Sequence, residues 1–333
     1  MKILITGIAG LIGTHFSKYL LDKNYEIIGI DSLFGGFLEN VDKRTIFYKT
    51  DLIDHLEVEN IFRKHKPDIV FHFAAYASEG LSPFIRRFNY NNNVICSVNV
   101  INGCINNNIK KLIFTSSMAV YGNGKPPFTE KHKLQPIDPY GIAKYSVEQD
   151  IKVAYDQFGL NYTIIRPHNI IGTHQNMWDA YRNVISIWIR RILNNQPILI
   201  YGDGLQTRAF SDIRYYMEPF EKVIYNFNKE TFNIGADKYY AIKDVAEILK
   251  EISENYGYKC IIEHAEKRHE VKNAYCDHTK SKEMLDFKDN TNIKTLIEKM
   301  FLWAREQPKR DIVVMDYEIE KDLYSYWKRD EIK

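Results

Sequence analysis

The sequence predicts a doubly wound parallel α/β sheet joined to a smaller mixed α/β lobe. Three observations carry that expectation. Short apolar runs of strand length alternate with helical patterns through the first half of the chain. A glycine-rich turn, Gly7-Ile8-Ala9-Gly10-Leu11-Ile12-Gly13, joins the first run to the first helical pattern. After Arg166 the regular alternation loosens. Strands alternating with helices imply parallel pairing, with ligands outside the carboxyl ends of the strands.

Residues 2–6 read as a buried first strand, and Leu11 to Leu21 carries apolar residues at helical spacing. Glu26-Ile27-Ile28-Gly29-Ile30 is the second strand and ends at Asp31. Strands follow at 45–48, 67–73 and 111–115, with helices near 54–65 and 83–107 between them. Asp138-Pro139 suits a helix start, so a long helix is expected from Tyr140 onward, leading into a sixth strand at 162–166. A loop with His168, Asn169, Gly172 and Gln175 then precedes a helix near 183–194. Strands near 198–201 and 231–234 and helices near 241–255 and 293–306 complete the pattern. The expected division is 1–166 for the Rossmann-type domain, to which the chain later returns, and 167–309 for the lobe. Residues 310–333 read as a charged, aromatic tail on the surface. No Pro/Gly/Ser linker separates the halves, so they should close around a cleft.

Composition narrows the function. The chain has 333 residues, 45% of them apolar, enough for a substantial core. A net charge of +2 gives no basic field for nucleic acid. Lys110-Lys111 and Arg190-Arg191 read as solvated element ends. Cys96, Cys104, Cys260 and Cys276 form no CxxC pair, and the histidines form no HExxH motif. No metal is expected, and the thiols read as free in a reducing compartment. There is no run of eighteen apolar residues and no cleavage pattern, so a cytoplasmic protein without a membrane span is expected.

The glycine turn would place backbone N–H groups at a helix N-terminus, where a pyrophosphate binds. Its spacing is GxxGxxG, and packing of helix on strand is the structural alternative. Asp31, at the end of the second strand, can accept both adenosine ribose hydroxyls and would repel a 2′-phosphate, which favours NAD over NADP. A plain turn aspartate is the alternative there. Asp51-Leu52 can meet the adenine, and Phe73-Ala74-Ala75 ends a strand with residues small enough for close approach. Asn93 lies in the polar run Asn89–Asn93, which otherwise reads as a solvated face. Thr115-Ser116-Ser117 ends the fifth strand. Tyr140 and Lys144 lie one helical turn apart and project to one side. A phenol, an ammonium and a hydroxyl beside a nicotinamide can move a proton and a hydride off one carbinol carbon. In this reading Lys144 lowers the Tyr140 pKa and bonds the nicotinamide ribose, while Ser117 bonds the reacting oxygen.

With these residues in view, the chain resembles the extended short-chain dehydrogenases/reductases over about residues 1–306. Within them it is most like the nucleotide-sugar epimerase/dehydratase group and its UDP-hexose 4-epimerases. The likeness rests on Gly7, Gly10 and Gly13, Asp31, Asp51-Leu52, His72-Phe73-Ala74-Ala75, Ser116 to Gly122, Tyr140 to Lys144 and Arg166-Pro167-His168-Asn169. Tyr201-Gly202-Asp203-Gly204 with Arg208, and Phe232-Asn233-Ile234-Gly235, extend it. The resemblance implies NAD held by the residues above together with Leu11, Ile12, Ser116 and Pro167. It implies a catalytic set of Ser117, Tyr140 and Lys144. On the substrate side it implies Asn169, Asn183, Arg208, Glu270 and either Lys267 or Arg268, with Ala274 rather than Tyr275 lining the sugar pocket. A small residue there would admit an N-acetyl sugar or a uronate beside plain hexoses. Two departures stand out. Arg214 occupies a usual aspartate slot, which should cost a helix cap, and Ile171-Gly172-Thr173 replaces a Tyr-Gly-Pro loop.

The resemblance implies 4-epimerisation of a nucleotide sugar through a transient 4-keto intermediate. A 4,6-dehydratase would need an Asp-Glu pair directly after the Ser/Thr. Those positions hold Met118 and Ala119, which cannot transfer protons. Net C4 oxidation or 4-keto reduction uses the same triad and stays open. A non-catalytic nucleotide-binding protein is the reading from another class, and the complete Ser-Tyr-Lys set argues against it. A homodimer is expected, because the helices near 83–107 and 141–158 carry apolar residues on more than one face: Val94, Ile95, Val98, Ile101, Val147, Ile151 and Tyr155.

Overall fold

The computed structural model describes residues 1–328. Six strands come first: β1 (Lys2–Thr6), β2 (Glu26–Asp31), β3 (Ile46–Lys49), β4 (Ile69–His72), β5 (Lys111–Thr115) and β6 (Tyr162–Pro167). After the short β7 (Ile170–Ile171), β8 (Ile198–Tyr201), β9 (Thr207–Ala209) and β10 (Ser211–Asp212), the chain returns as β11 (Glu230–Ile234). The main sheet runs β11-β6-β5-β4-β1-β2-β3, and every pairing in it is parallel. Strand order reverses at β1, whose neighbours β2 and β4 lead away in opposite directions. A crevice opens there at the carboxyl ends. All residues of β4 and β5 are buried, as a parallel strand covered on both faces requires.

Helices α1 (Leu11–Leu21), α2 (His55–His65), α3 (Arg86–Tyr90), α4 (Cys96–Asn106) and α5 (Pro139–Phe158) accompany the first six strands. The helix expected over 83–107 is broken, because residues 91–95 widen into a π turn between α3 and α4. Asn89 and Asn93 both point inward there and are buried, so the polar run is not a solvated face. Asn93 Nδ2 donates to Asn89 Oδ1 at 2.9 Å, and Asn89 Nδ2 to Pro139 O at 3.0 Å.

The second half supplies α6 (Val184–Leu193), α7 (Met217–Tyr225), α8 (Ile242–Asn255), α9 (Thr279–Leu285) and α10 (Ile293–Arg305). It adds β12 (Tyr239–Ala241), β13 (Ile262–Ala265) and β14 (Asn273–Ala274). These strands form small sheets, β12-β9-β14 and β13-β8. Phe16, Phe71 and Phe220 pack on one face of the main sheet, and Phe62, Val100 and Val147 on the other. A separate core joins Trp188, Ile200, Leu249 and Ile297.

Several local expectations change. Lys111 and Arg190 are buried rather than solvated. Lys111 Nζ donates to Val223 O at 2.6 Å and to Asn226 O, carbonyls at the end of α7 where a cation is favoured. Burial pulls its pKa down to about 8. No cap is lost at Arg214, because Asp212 accepts from its N–H at 2.9 Å and pairs with its guanidinium. The tail does not simply lie on the surface. Trp327 is 2% exposed and packs with Tyr76, Leu81, Phe84 and Tyr181. Residues 329–333 of that tail lie outside the described residues.

Candidate active site

The glycine turn brings backbone to backbone. Gly7 has φ +70°, and a Cβ on it would lie 2.7 Å from Ala74 N. A Cβ on Gly13 would lie 2.3 Å from Gly7 O. Gly10 stands at the N-terminus of α1 with no side-chain cap, so the first N–H groups of the helix face the crevice. Asp31 is fixed at the end of β2, where Oδ2 accepts from Ala9 N at 3.0 Å and Oδ1 from Leu33 N at 2.8 Å. Burial raises its pKa, against those bonds and the charge of Arg182.

These groups line a cleft of about 810 Å³. Gly7, Gly10, Leu11, Ile12 and Gly13 form one end of it. Asp31, Asp51 and Leu52 stand beyond them, and Phe73, Ala74 and Ala75 close the floor after β4. Ser116 and Pro167 join from the ends of β5 and β6. Ser116 Oγ also donates to Glu148 Oε1 at 2.5 Å, and Glu148 is held by Arg166 at 2.8 and 2.6 Å in a buried ion pair. Asn93 is not brought to the cleft wall. Its amide is taken up by Tyr76 N and O at 3.0 and 3.1 Å, so it pins the loop after β4 from behind.

Ser117, Tyr140 and Lys144 meet on the same wall. Asp138 caps α5 by accepting from Gly141 N at 2.9 Å, and Pro139 supplies a preset φ at its first position. One turn of α5 then aligns Tyr140 with Lys144. Burial pushes the Tyr140 phenol up. A hydrogen bond with Ser117 pulls it down, the charges of Glu79 and Asp138 raise it, and Arg182 lowers it. Lys144 Nζ donates to Thr115 O at 2.9 Å and lies 6.0 Å from the Tyr140 ring centroid. Burial draws its pKa down to about 7, opposed by Glu148. In this geometry the downward pull on Tyr140 comes from Ser117 and Arg182, not from Lys144 as expected.

The other end of the cleft is built from the second half. Asn169 has φ +43° and donates from Nδ2 to Ala209 O at 3.0 Å. Asn183 caps α6, accepting from Ile185 N at 3.2 Å and from Ser186 N. Arg208 Nη2 meets Glu270 Oε2 at 2.6 Å. Arg268 reaches the wall, its guanidinium 3.5 Å from the Tyr201 ring centroid, whereas Lys267 does not line the cleft. Ala274 lines the cleft beside Met118, and Tyr275 turns away to stack on Tyr239 at 4.4 Å. Among the described residues no group of three or more His, Cys, Asp or Glu could hold a metal ion.

Residues 3–235 match the model of the NAD dependent epimerase/dehydratase family. The chain belongs to that family. Its relatives include a Methanocaldococcus jannaschii protein provisionally named UDP-glucose 4-epimerase. That protein is 32% identical, over 91% of this chain and 98% of its own. The structure of UDP-glucose 4-epimerase from Thermotoga maritima, with UDP-glucose, matches with a TM-score of 0.85 and 30% identity over 92% of this chain and 99% of that one. UDP-N-acetylglucosamine 4-epimerase from Methanobrevibacter ruminantium matches at 0.82 and 29%, over 91% and 97%.

NAD is the cofactor of this family, and the residues present fit it. The glycines leave room that any Cβ would fill, the end of α1 offers unused N–H donors, and Asp31 stands where a ribose diol would lie.

Three features of the site escaped the sequence. Arg182 lines the cleft, pairs with Asp179 at 2.9 Å and acts on both Asp31 and Tyr140. Only its place beside Asn183 hints at a role. Glu79 opens onto the cleft near Tyr140, from the loop that Asn93 pins. The strap 321–327 contributes Tyr324, Tyr326 and Trp327 to the wall. No motif marks the last two.

Proposed function

We propose that this protein epimerises C4 of a nucleotide-linked sugar. The observation that supports this most is the meeting of Ser117, Tyr140 and Lys144 between the glycine turn and Arg208, beside the proton-inert Met118 and Ala119. The sugar would span from Tyr140 to Arg208, with its diphosphate near that guanidinium. NAD, when bound, supplies the hydride acceptor and donor. Tyr140 takes the proton from O4 as C4 is oxidised and gives it back when C4 is reduced from the other face. Ser117 bonds the reacting oxygen and favours the phenolate. Lys144, held by Thr115 O, would bond the nicotinamide ribose and place positive charge near Tyr140 as it ionises.

A panel of UDP-, dTDP- and GDP-linked hexoses, N-acetylhexosamines and uronates tests the reading. The expected result is conversion of one sugar to its C4 epimer with no net NADH. Stoichiometric NADH would indicate a C4 dehydrogenase, and no turnover on any sugar would refute the proposal. Ala274 supports a roomy sugar pocket that accepts an N-acetyl group.

A cytoplasmic homodimer completes the reading. All four cysteines are free and buried, which suits a reducing compartment. Among the described residues no helix is long and apolar enough to cross a membrane. Ile95, Ile142, Val153 and Phe158 expose apolar surface on α5 and the turn before α4, with Phe158 62% exposed. Ile101, Val147 and Ile151 are buried in the core and belong to the face that covers the sheet. Light scattering at micromolar concentration should give twice the chain mass.

A further inference from the structure

Beyond Arg208 the cleft ends in a cluster of donors that find no acceptor among the described residues. Arg190, on α6, lines the cleft, is 4% exposed, and leaves both Nε and Nη1 buried without a partner. Arg268 Nε and the Tyr326 hydroxyl are also buried and unpartnered on this wall. Tyr201 is the hub. Arg268 lies over its ring at 3.5 Å, the Tyr326 ring is 4.4 Å from it centre to centre, and Arg190 lines the same cleft. Gln206 Nε2 donates to Tyr201 O at 3.0 Å and to Glu270 Oε1 at 3.4 Å, which ties the cluster to the Arg208–Glu270 pair.

Buried polar groups in folded proteins almost always find partners, and an unpaired buried cation is costly. Among the described residues no carboxylate answers Arg190 Nε or Nη1. Its near neighbour Asp179 is engaged by Arg182 at 2.9 Å, and Arg191 adds a second positive charge. Trp188, buried in the core behind this wall, donates from Nε1 to Leu199 O at 2.9 Å. A planar ligand edge rich in acceptors fits such a place. Nε and Nη1 lie on different edges of the guanidinium, so each unpartnered N–H would take its own acceptor from such a ligand.

We propose that Arg190 and Tyr326 read the nucleobase of the substrate and select a base that carries carbonyl oxygens. The inference rests on the nucleotide-sugar reading above. It assigns part of base recognition to the C-terminal strap, which Tyr324 fastens by accepting from His269 N at 2.9 Å.

Calorimetry on the NAD-saturated protein with UDP, GDP and ADP tests it, together with thermal denaturation of the nucleotide-free protein. Wild type should bind UDP or GDP at least about tenfold more tightly than ADP. Arg190→Met should remove that preference, leave ADP binding unchanged, and keep or raise the melting temperature, because an unpaired buried charge is gone. Tyr326→Phe should weaken the preferred nucleotide about threefold to tenfold. Equal affinity for all three nucleotides in wild type would overturn the proposal. So would an Arg190→Met protein that keeps the preference, or one that melts earlier and loses all nucleotides alike. If the sugar panel shows no turnover while Arg190 still governs base preference, the epimerase reading fails and this one stands.

Discussion

The two ends of the cleft are made differently. At the cofactor end the work falls to backbone: glycines that let chain approach chain, an uncapped helix terminus, and an aspartate fixed by two N–H groups. At the proposed substrate end it would fall to side chains gathered from remote stretches, and Asn169, Asn183, Arg208, Arg268 and Tyr326 all line the cleft there. Backbone sites have a short sequence footprint because their parts are neighbours in the chain. Side-chain sites leave a scattered one, and a lone arginine such as Arg190 carries no local mark that it turns inward. Tyr140 lies at the seam between the two, so substituting it should spare both ends. Tyr140→Phe is expected to slow turnover by about two to four orders of magnitude while NAD and UDP binding persist. A variant retaining more than about a tenth of the rate would remove Tyr140 from the proposed role.

A pair of substitutions sharpens the contrast. Gly13→Ala forces a Cβ against Gly7 O at 2.3 Å, and neither backbone can yield cheaply. It should cost about 1–3 kcal/mol of stability and strip NAD from the purified protein. Arg208→Ala should do the reverse, keeping NAD while weakening UDP about tenfold to a hundredfold through loss of a charge-assisted bond. Denaturation curves and cofactor content after gel filtration read both. If Arg208→Ala empties the NAD site, the two ends are not separable.

Ala274→Tyr should act only on substrate choice. Its side chain lines the cleft beside Met118, so a ring there would fill space next to the sugar. Activity on an N-acetylated sugar should fall at least about tenfold more than on the plain hexose. Equal loss on both would show that Ala274 merely packs.

The same difference explains what the sequence revealed. The first six strands and α1 were legible because apolar runs and glycine punctuation are local signals, and the glycine turn, Asp31 and the Tyr140–Lys144 spacing needed nothing more. The break after Tyr90 was not, since a π turn depends on Asn93 finding the Tyr76 backbone seventeen positions away. Lys111 and Arg190 read as solvated because charge favours the surface by default, and only tertiary packing shows that α7 carbonyls and the cleft receive them. The tail misled in the same way. Its aromatics looked like surface residues until Trp327 was seen to fill a hollow under Phe84 and Tyr181.

The smallest expected effect concerns Glu79, the acid that the sequence did not single out. Its side chain is exposed to the cleft, whose walls still draw water off the carboxyl, while Asp138 and Glu270 repel its charge and Arg208 only partly compensates. Its pKa is therefore raised to about 7 from a usual 4.5. The native state then holds a proton that the unfolded chain releases between those values. Stability from this group is present below pH 4.5 and is lost as pH rises through about 7. Glu79→Gln removes the ionisation. Relative to wild type, the variant should gain stability between pH 5 and pH 8 in thermal or urea denaturation, by an amount that cleft water keeps small. Its sign is the test, because a difference that is flat or falls with pH would mean that Glu79 ionises like a surface residue. The seam between the two ends would then be less isolated from solvent than its lining suggests.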